Sequence, residues 1–332
     1  MAQRGRPSRA AVYRRLEEAV RELHEQLGGL PSPVEADAIW KDIWYEEAHH
    51  STAIEGNTLV LKQVEVLLAE GRAVGDEELA EYMEVKGYAD AATWVYGQAL
   101  SSDGWADGLL TVTEVRHIHR MAMQPVWEIR PHPQATGAEG PGGFREHEIR
   151  PFPGGVRPPS FVDVPALIAD WVGAVNQVEG DPGHVVEQIA LLHNRFEQVH
   201  PFLDGNGRSG RLAMNLVLIR LGYPPAIVHK RDRRRYLGAM QRADAGDPGP
   251  LGELIARSIL DNLYRFIIPG LVGPDRLVPI AALATPNLNV PALRTAAARG
   301  RLKAQKGNDG QWRSSQAWVE EYVANRYKRR NG

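Results

Sequence analysis

The segment His200-Pro201-Phe202-Leu203-Asp204-Gly205-Asn206-Gly207-Arg208-Ser209-Gly210-Arg211 places an imidazole, a carboxylate, two glycines around an asparagine and two guanidiniums in one short stretch. Upstream, Val185, Val186, Ile189, Ala190, Leu192, Phe196 and Val199 recur at helical spacing and stop at Pro201; Leu212, Leu216, Val217 and Ile219 resume the pattern. The segment is therefore a loop feeding a helix N-terminus. Gly205 and Gly207 leave the backbone able to turn its N–H groups inward, which makes a concave cradle for an anion. Arg208 and Arg211 would sit in the first helical turn, where the macrodipole disfavours cations unless an anion is present. Three residues apart, they share a face and suit several phosphate oxygens. Asp204 offers hard oxygen for a divalent cation between phosphates, and His200 a proton acceptor near neutral pH.

Taken singly, these residues also fit an ordinary Asp-Gly-Asn-Gly turn, a satisfied loop histidine and a solvated helix face. Together and in this order, they point to phosphate chemistry.

At these positions the chain resembles the Fic family, whose signature is His-x-Phe-x-(Asp/Glu)-Gly-Asn-Gly-Arg-x-x-Arg, and every fixed position is matched. The resemblance implies transfer of AMP from ATP to a protein Ser, Thr or Tyr hydroxyl by in-line attack on the α-phosphate. It implies His200 as general base, Asp204 as Mg2+ ligand and Phe202 as the loop's anchor in the core. Asn206 and the backbone of Gly205 and Gly207 would hold the α- and β-phosphates, with Arg208 and Arg211 on the β- and γ-phosphates. Such catalysis works by positioning and charge stabilisation.

Two further stretches and two single residues carry the resemblance. Ser51-Thr52-Ala53-Ile54-Glu55-Gly56 resembles the inhibitory motif (Ser/Thr)-x-x-x-Glu-(Gly/Asn). On a helix, Ser51 and Glu55 share a face and Gly56 suits the residue after its end; by resemblance Glu55 pairs with Arg211 and denies the γ-phosphate its place. Gly142-Gly143 followed by Phe144, Arg145, Glu146, His147, Glu148 and Ile149 resembles the Fic flap, a β-hairpin that clamps a target's backbone; a plain surface loop is the competing reading. Tyr236 resembles the aromatic position near the nucleotide base, which core packing explains equally well. His193 resembles a structural histidine one turn before the loop.

The chain has 332 residues, 43% hydrophobic and 24% charged, ordinary for a soluble globular protein with room for one large and one small domain. With no cysteine there is no disulfide framework, thiol nucleophile or cysteine metal site, which fits a reducing, cytoplasmic setting. The 11 histidines show no ligand spacing that stands out; His49, His50, His117, His119 and His193 read as surface or core residues. No signal peptide opens the sequence, and no run reaches the roughly 18 apolar residues that span a bilayer.

Helical patterns cover most of residues 10–268, with Gly and Pro crowding 131–159 and a second breaker region at 269–276. Beyond it the charge changes sign. Residues 280–332 carry ten lysines and arginines against Asp309, Glu320 and Glu321, a net of +7, so the rest of a chain of net −2 carries −9. Short helices near 279–284 and 290–299, a hairpin turning at Asn308-Asp309-Gly310 and a closing helix at 316–327 resemble a winged helix-turn-helix, with Arg294, Arg299, Arg301 and Lys303 available for DNA phosphates. Protein docking or homodimerisation is an equal use for such a module.

The expected fold is mainly α: a Fic helical bundle with a short β-hairpin flap, plus a C-terminal winged helix. The expected parts are an N-terminal helical region (1–110), the catalytic core (111–268) and a linker with the winged helix (269–332). The expected function is an autoinhibited protein adenylyltransferase using ATP and Mg2+ on a target protein or on itself. The alternatives are removal of AMP or transfer of another phosphate group by the same loop, and a DNA-binding regulator whose Fic domain senses nucleotide.

Overall fold

The computed structural model describes residues 7–31, 33, 36–101, 105, 108–150, 156–180, 182–271, 277–285, 288–306 and 310–326. The elements run in order α1 (Arg9–Leu27), α2 (Asp37–Glu55), α3 (Leu61–Glu70), α4 (Leu79–Ala99), α5 (Val112–Ile129), α6 (Val164–Val175), α7 (Pro182–Val199), α8 (Asn206–Arg220), α9 (Arg233–Asp244), α10 (Gly249–Asn262) and the short α11 (Ile268–Leu271). Then follow β1 (Val278–Pro279), α12 (Val290–Ala298), β2 (Gln305–Lys306), β3 (Trp312–Ser314) and α13 (Gln316–Asn325). The mainly helical fold expected from the sequence is the fold observed. No helix among the described residues is long and apolar enough to cross a membrane.

Two compact units divide the chain, Met1–Ile259 and Leu260–Gly332. In the first, two helices bury much of their length. All residues from Leu212 to Ile219 of α8 are buried, and α4 buries Tyr82, Val85, Tyr88, Ala92 and Tyr96, so both run through the core rather than along its surface. Around them pack α2 and α5, which carry much of the candidate site. Where α4 meets α5 the backbones come very close: a Cβ at Gly87 would lie 2.4 Å from the Ala122 carbonyl oxygen, so only glycine fits. Helix α5 continues through Pro125 to Ile129. Its start is fixed by a capping box, Thr111 Oγ1 accepting from Glu114 N–H at 3.1 Å and Glu114 Oε2 accepting from Thr111 N–H at 2.8 Å. Glu114 Oε1 also lies 2.7 Å from Arg220, tying the start of α5 to the end of α8.

The expected flap hairpin forms no strand ladder among the described residues. From Gly143 the chain has no regular secondary structure, and its N–H groups bond as follows: Gly143 to Gly140 O, Arg145 to Pro201 O and Glu146 to Glu139 Oε1. With these donors engaged by other segments, no partner strand is satisfied here.

In the second unit β3 is the middle strand of a three-stranded antiparallel sheet, pairing Ser314 with Val278 and Trp312 with Lys306. The stretch expected as a first short helix, 279–284, holds the 3-10 helix Ile280–Leu283, which β1 precedes. Helix α12, capped by Asn289, precedes the β2–β3 pair, and α13 closes the unit, capped by Ser315. Of the expected hairpin turn, Asn308 and Asp309 lie outside the described residues.

Candidate active site

Helix α7 ends where its last turn meets Pro201. His200 donates its N–H to Phe196 O at 3.0 Å and adopts φ 49°, the left-handed conformation usual for glycine after a helix. The strain falls on the residue singled out as the base, and the surroundings hold it there. Arg145 Nε donates to His200 O at 2.9 Å, and the same guanidinium reaches Pro159 O, His147 O and Val199 O. Arg145 was expected among residues offered to a target; it is buried, its donors are engaged by carbonyls, and it acts as the bracket of the loop.

The rest of the loop closes on itself. Asn206 Nδ2 donates to Phe202 O and Asn206 Oδ1 accepts from Phe202 N–H, both at 2.9 Å. The amide expected on a phosphate is thus a clamp, and what the residue presents as the first of α8 is its backbone N–H. The Phe202 ring is fully buried and stacks on His119 at 3.7 Å between centroids. His119 in turn bridges two segments: Nε2–H donates to Asp204 O at 2.9 Å, and Nδ1 accepts from Gly142 N–H at 2.7 Å. This pattern requires a neutral ring, and burial lowers its pKa to about 4. Gly205, at φ 78°, then turns the chain into α8.

Both loop arginines are buried and both are met by carboxylates. Arg208 pairs with Glu84 of α4 and, at 2.9 Å, with Asp204 Oδ1, while its Nε is buried with no hydrogen-bond partner. Arg211 donates Nε to Ser51 Oγ at 2.7 Å and Nη2 to Ser51 O at 3.0 Å and to Glu55 Oε1 at 2.7 Å. Glu55 is the last residue of α2; Gly56 follows at φ 117°, as the motif's spacing anticipates. Burial works against the charge of Glu55, but Arg211 and then Arg208 outweigh it and hold the carboxyl below the ordinary range. Glycine at 207 makes room: a Cβ there would stand 2.4 Å from Glu55 Oε1. Asp204 likewise resists burial, and Arg208 with the Gly205 N–H keeps its pKa low, so it is an anion able to hold a cation.

His200 is half-buried, and desolvation followed by the Arg145 charge lowers its pKa to about 4. Its Nδ1 lies 3.3 Å from Glu197 O, an acceptor that favours the tautomer with the proton on that nitrogen. Glu197 itself was not anticipated. Its Oε1 is buried without a hydrogen-bond partner, and burial, only partly offset by Arg211, raises its pKa to about 8.

Two cavities meet at the loop, and Glu55, His200 and Gly207 line both. One, of about 620 Å³, is lined by Glu78, Glu81, Glu84, Asp204, Arg130 and Trp127. The other, about 300 Å³ and mostly apolar, is lined by Ile54, Tyr236, Leu237, Met240, Arg211 and Arg233. Tyr236 lies at its wall as expected for a base pocket, yet it is buried and its hydroxyl lies 2.6 Å from His193 Nε2, so the core reading holds as well.

In the remaining flap residues, Phe144 packs 5.5 Å from Phe202, and His147 pairs with buried Glu139 at 2.8 Å. Glu146 is exposed and reached by Thr136 Oγ1, Glu148 is exposed and bonded by Ser160, and Ile149 is half-buried. In the C-terminal unit Arg294, Arg299, Arg301 and Lys303 are all exposed, and Lys303 pairs with Glu321 at 2.8 Å.

Residues 109–218 match the model of the Fic/DOC family. Among curated relatives, the protein adenylyltransferase Fic of Aedes aegypti is 31% identical over 258 residues, 77% of this chain and 48% of that protein. Its namesake in Drosophila melanogaster is 30% identical over 239 residues, 72% of this chain and 44% of that protein. The chain thus spans about half the length of the curated relatives it matches. Among solved structures, Fic-1 of C. elegans (residues 134–508) superposes with a TM-score of 0.63 at 27% identity, covering 79% of this chain and 73% of that one. A Fic domain-containing signaling protein of Bacteroides thetaiotaomicron superposes at 0.59 and 26% identity, covering 76% and 96%.

Proposed function

This chain belongs to the Fic/DOC family, and on that premise we propose that it is a protein adenylyltransferase held in a resting state by its own Glu55. The observation that carries the reading is the 2.7 Å pair between Glu55 and Arg211, made across two elements that both carry complete family motifs.

In this reading the nucleoside of ATP enters the apolar cavity beside Tyr236, Leu237 and Met240, and the phosphates lie along the N–H groups that open α8. Mg2+ would be held by Asp204, which lines the acidic cavity. A Ser, Thr or Tyr hydroxyl of the target approaches His200, whose Nε2 takes the proton as the oxygen attacks the α-phosphorus. The bond from that phosphorus to the β-phosphate's bridging oxygen breaks, and pyrophosphate leaves with its charge met by Arg208 and Arg211. The depressed pKa keeps His200 in the neutral, proton-accepting form at neutral pH. While Glu55 occupies Arg211, the γ-phosphate loses its guanidinium and meets a carboxylate instead.

Residues Phe144 to Ile149, with Arg145 as the buried bracket, would border the target's path. Target identity, self-modification, and DNA contact or dimerisation through the C-terminal unit belong to the same proposal. The test is transfer of labelled AMP by wild type and by Glu55→Gly: more transfer by the variant supports the reading, and equal or less transfer contradicts it.

A further inference from the structure

Away from the phosphate loop, α2 presents a second constellation. Glu46 and His50 stand one turn apart on the same helical face, with Glu46 Oε2 3.0 Å from His50 Nε2. His229, from the buried segment that leads into α9, brings its ring to 4.4 Å from that of His50. One ligand atom from each of the three lies within 4.8 Å of the others. Glu46 and His229 are buried, whereas His50 is half-buried and leaves a route from solvent.

We propose that Glu46, His50 and His229 form a binding site for a divalent transition-metal ion of the zinc, cobalt or nickel class, and that the bound ion clips α2 to the chain entering α9.

Two imidazoles and one carboxylate are a donor set for borderline ions; Mg2+ and Ca2+ prefer oxygen alone. Metal–ligand bonds of about 2.0–2.2 Å need donors roughly 3–4 Å apart, a closure that small side-chain rotations supply, with water completing the shell. The Glu46–His50 pair already stands at such a spacing. Coordination through His50 Nε2 moves that ring's proton to Nδ1, where the Lys230 N–H now points from 3.4 Å. That long contact is the interaction an ion displaces.

The clip has a mechanical setting. The helix it grips ends at Glu55, and Arg233, just past His229, already donates Nε to Ile54 O in the last turn of α2 at 2.7 Å. A second tie one turn earlier would hold the same helix end against the same segment. That an occupied site also favours the resting enzyme rests on the Glu55 reading above; the metal site itself does not.

The experiment uses the metal-stripped 332-residue protein titrated with Co2+, followed by its visible d–d absorption, with Zn2+ as competitor and excess Mg2+ as control. The expected result is one Co2+ per chain, displaced by Zn2+ and not by Mg2+. Binding should be lost in His50→Ala and in Glu46→Gln, and kept in Asp204→Asn. Matching far-ultraviolet circular dichroism and melting temperatures of the metal-free proteins show that the variants fold. Zn2+ should also slow amide exchange across residues 46–56 of wild type. No binding, or binding indifferent to Glu46 and His50, would overturn the site; binding with unchanged exchange would overturn the clip. No nucleotide is present, so failure here leaves adenylylation untouched, and failure of adenylylation leaves the metal binding to be measured on its own.

Discussion

The Glu55 carboxylate and the Arg211 guanidinium, 156 residues apart in sequence, meet at 2.7 Å beneath a glycine whose missing Cβ is what admits them. Ser51, one turn before Glu55, accepts from the same guanidinium through both Oγ and its carbonyl. Arg211 is therefore gripped by one turn of α2, and moving that turn changes the charge seen at the phosphate end of the cradle.

Below this grip, Glu47 fixes α2 in the core. Its buried carboxyl accepts from Tyr88, Tyr96 and Asn215 Nδ2, and Asn215 Oδ1 accepts from Ala226 N–H. Glu47→Ala strands these donors and should cost about 2–4 kcal/mol, read as a lower midpoint in urea denaturation. A loss under about 0.5 kcal/mol, the size of an ordinary surface change, would contradict the network's role.

Glu197 carries a pH signature. With its folded pKa raised to about 8 from 4.5, the native state keeps a proton that the unfolded chain has released, so its contribution to stability is full below pH 4.5 and is lost as pH rises through 8. Glu197→Gln, which is neutral throughout, should match wild type at pH 5 and exceed it by about 2 kcal/mol or more at pH 8.5. Equal stability at both pH values would show that the carboxyl ionises normally.

Arg145 bonds four carbonyls around His200 through a planar fork. Arg145→Lys keeps the charge but not the fork, so transfer should fall at least tenfold, and more than nucleotide affinity falls. Equal loss in the two measurements would assign Arg145 to general stability instead.

Asp204→Asn keeps the shape of the loop and removes the anion. It should raise the Mg2+ concentration needed for half-maximal transfer at least tenfold while leaving metal-free nucleotide binding within about threefold. An unchanged Mg2+ requirement would remove Asp204 from the metal.

The parts of this site that could be read from the sequence are those whose chemistry lies in contiguous spacing. The loop from His200 to Arg211 and the Ser51–Glu55 turn declare themselves because one short segment holds all the needed groups. Their partners do not. Glu84 reaches Arg208 across 124 positions and His119 reaches Asp204 across 85, and no local pattern marks either among ordinary helical residues. His119 reads from the sequence as a surface or core histidine and Arg145 as a flap residue offered to a target, because partners that are backbone carbonyls leave no sequence trace. The flap's missing ladder has a related origin: its glycines permit a hairpin, while Arg145 N–H is drawn to Pro201 O, a tertiary bond, and Glu146 N–H to the Glu139 carboxylate. Helices were easier, since burial repeats every three to four residues, although the close packing of α4 on α5 at Gly87 leaves no such trace.

The most direct test is Mg2+-dependent incorporation of label from α-labelled ATP into protein, comparing wild type, Glu55→Gly, and Glu55→Gly combined with His200→Ala. The account predicts little label with wild type, at least tenfold more with Glu55→Gly, and none above background with the double variant, which should still bind ATP. Label from wild type equal to or above that from Glu55→Gly would contradict autoinhibition, and label persisting in the double variant would remove His200 from the reaction.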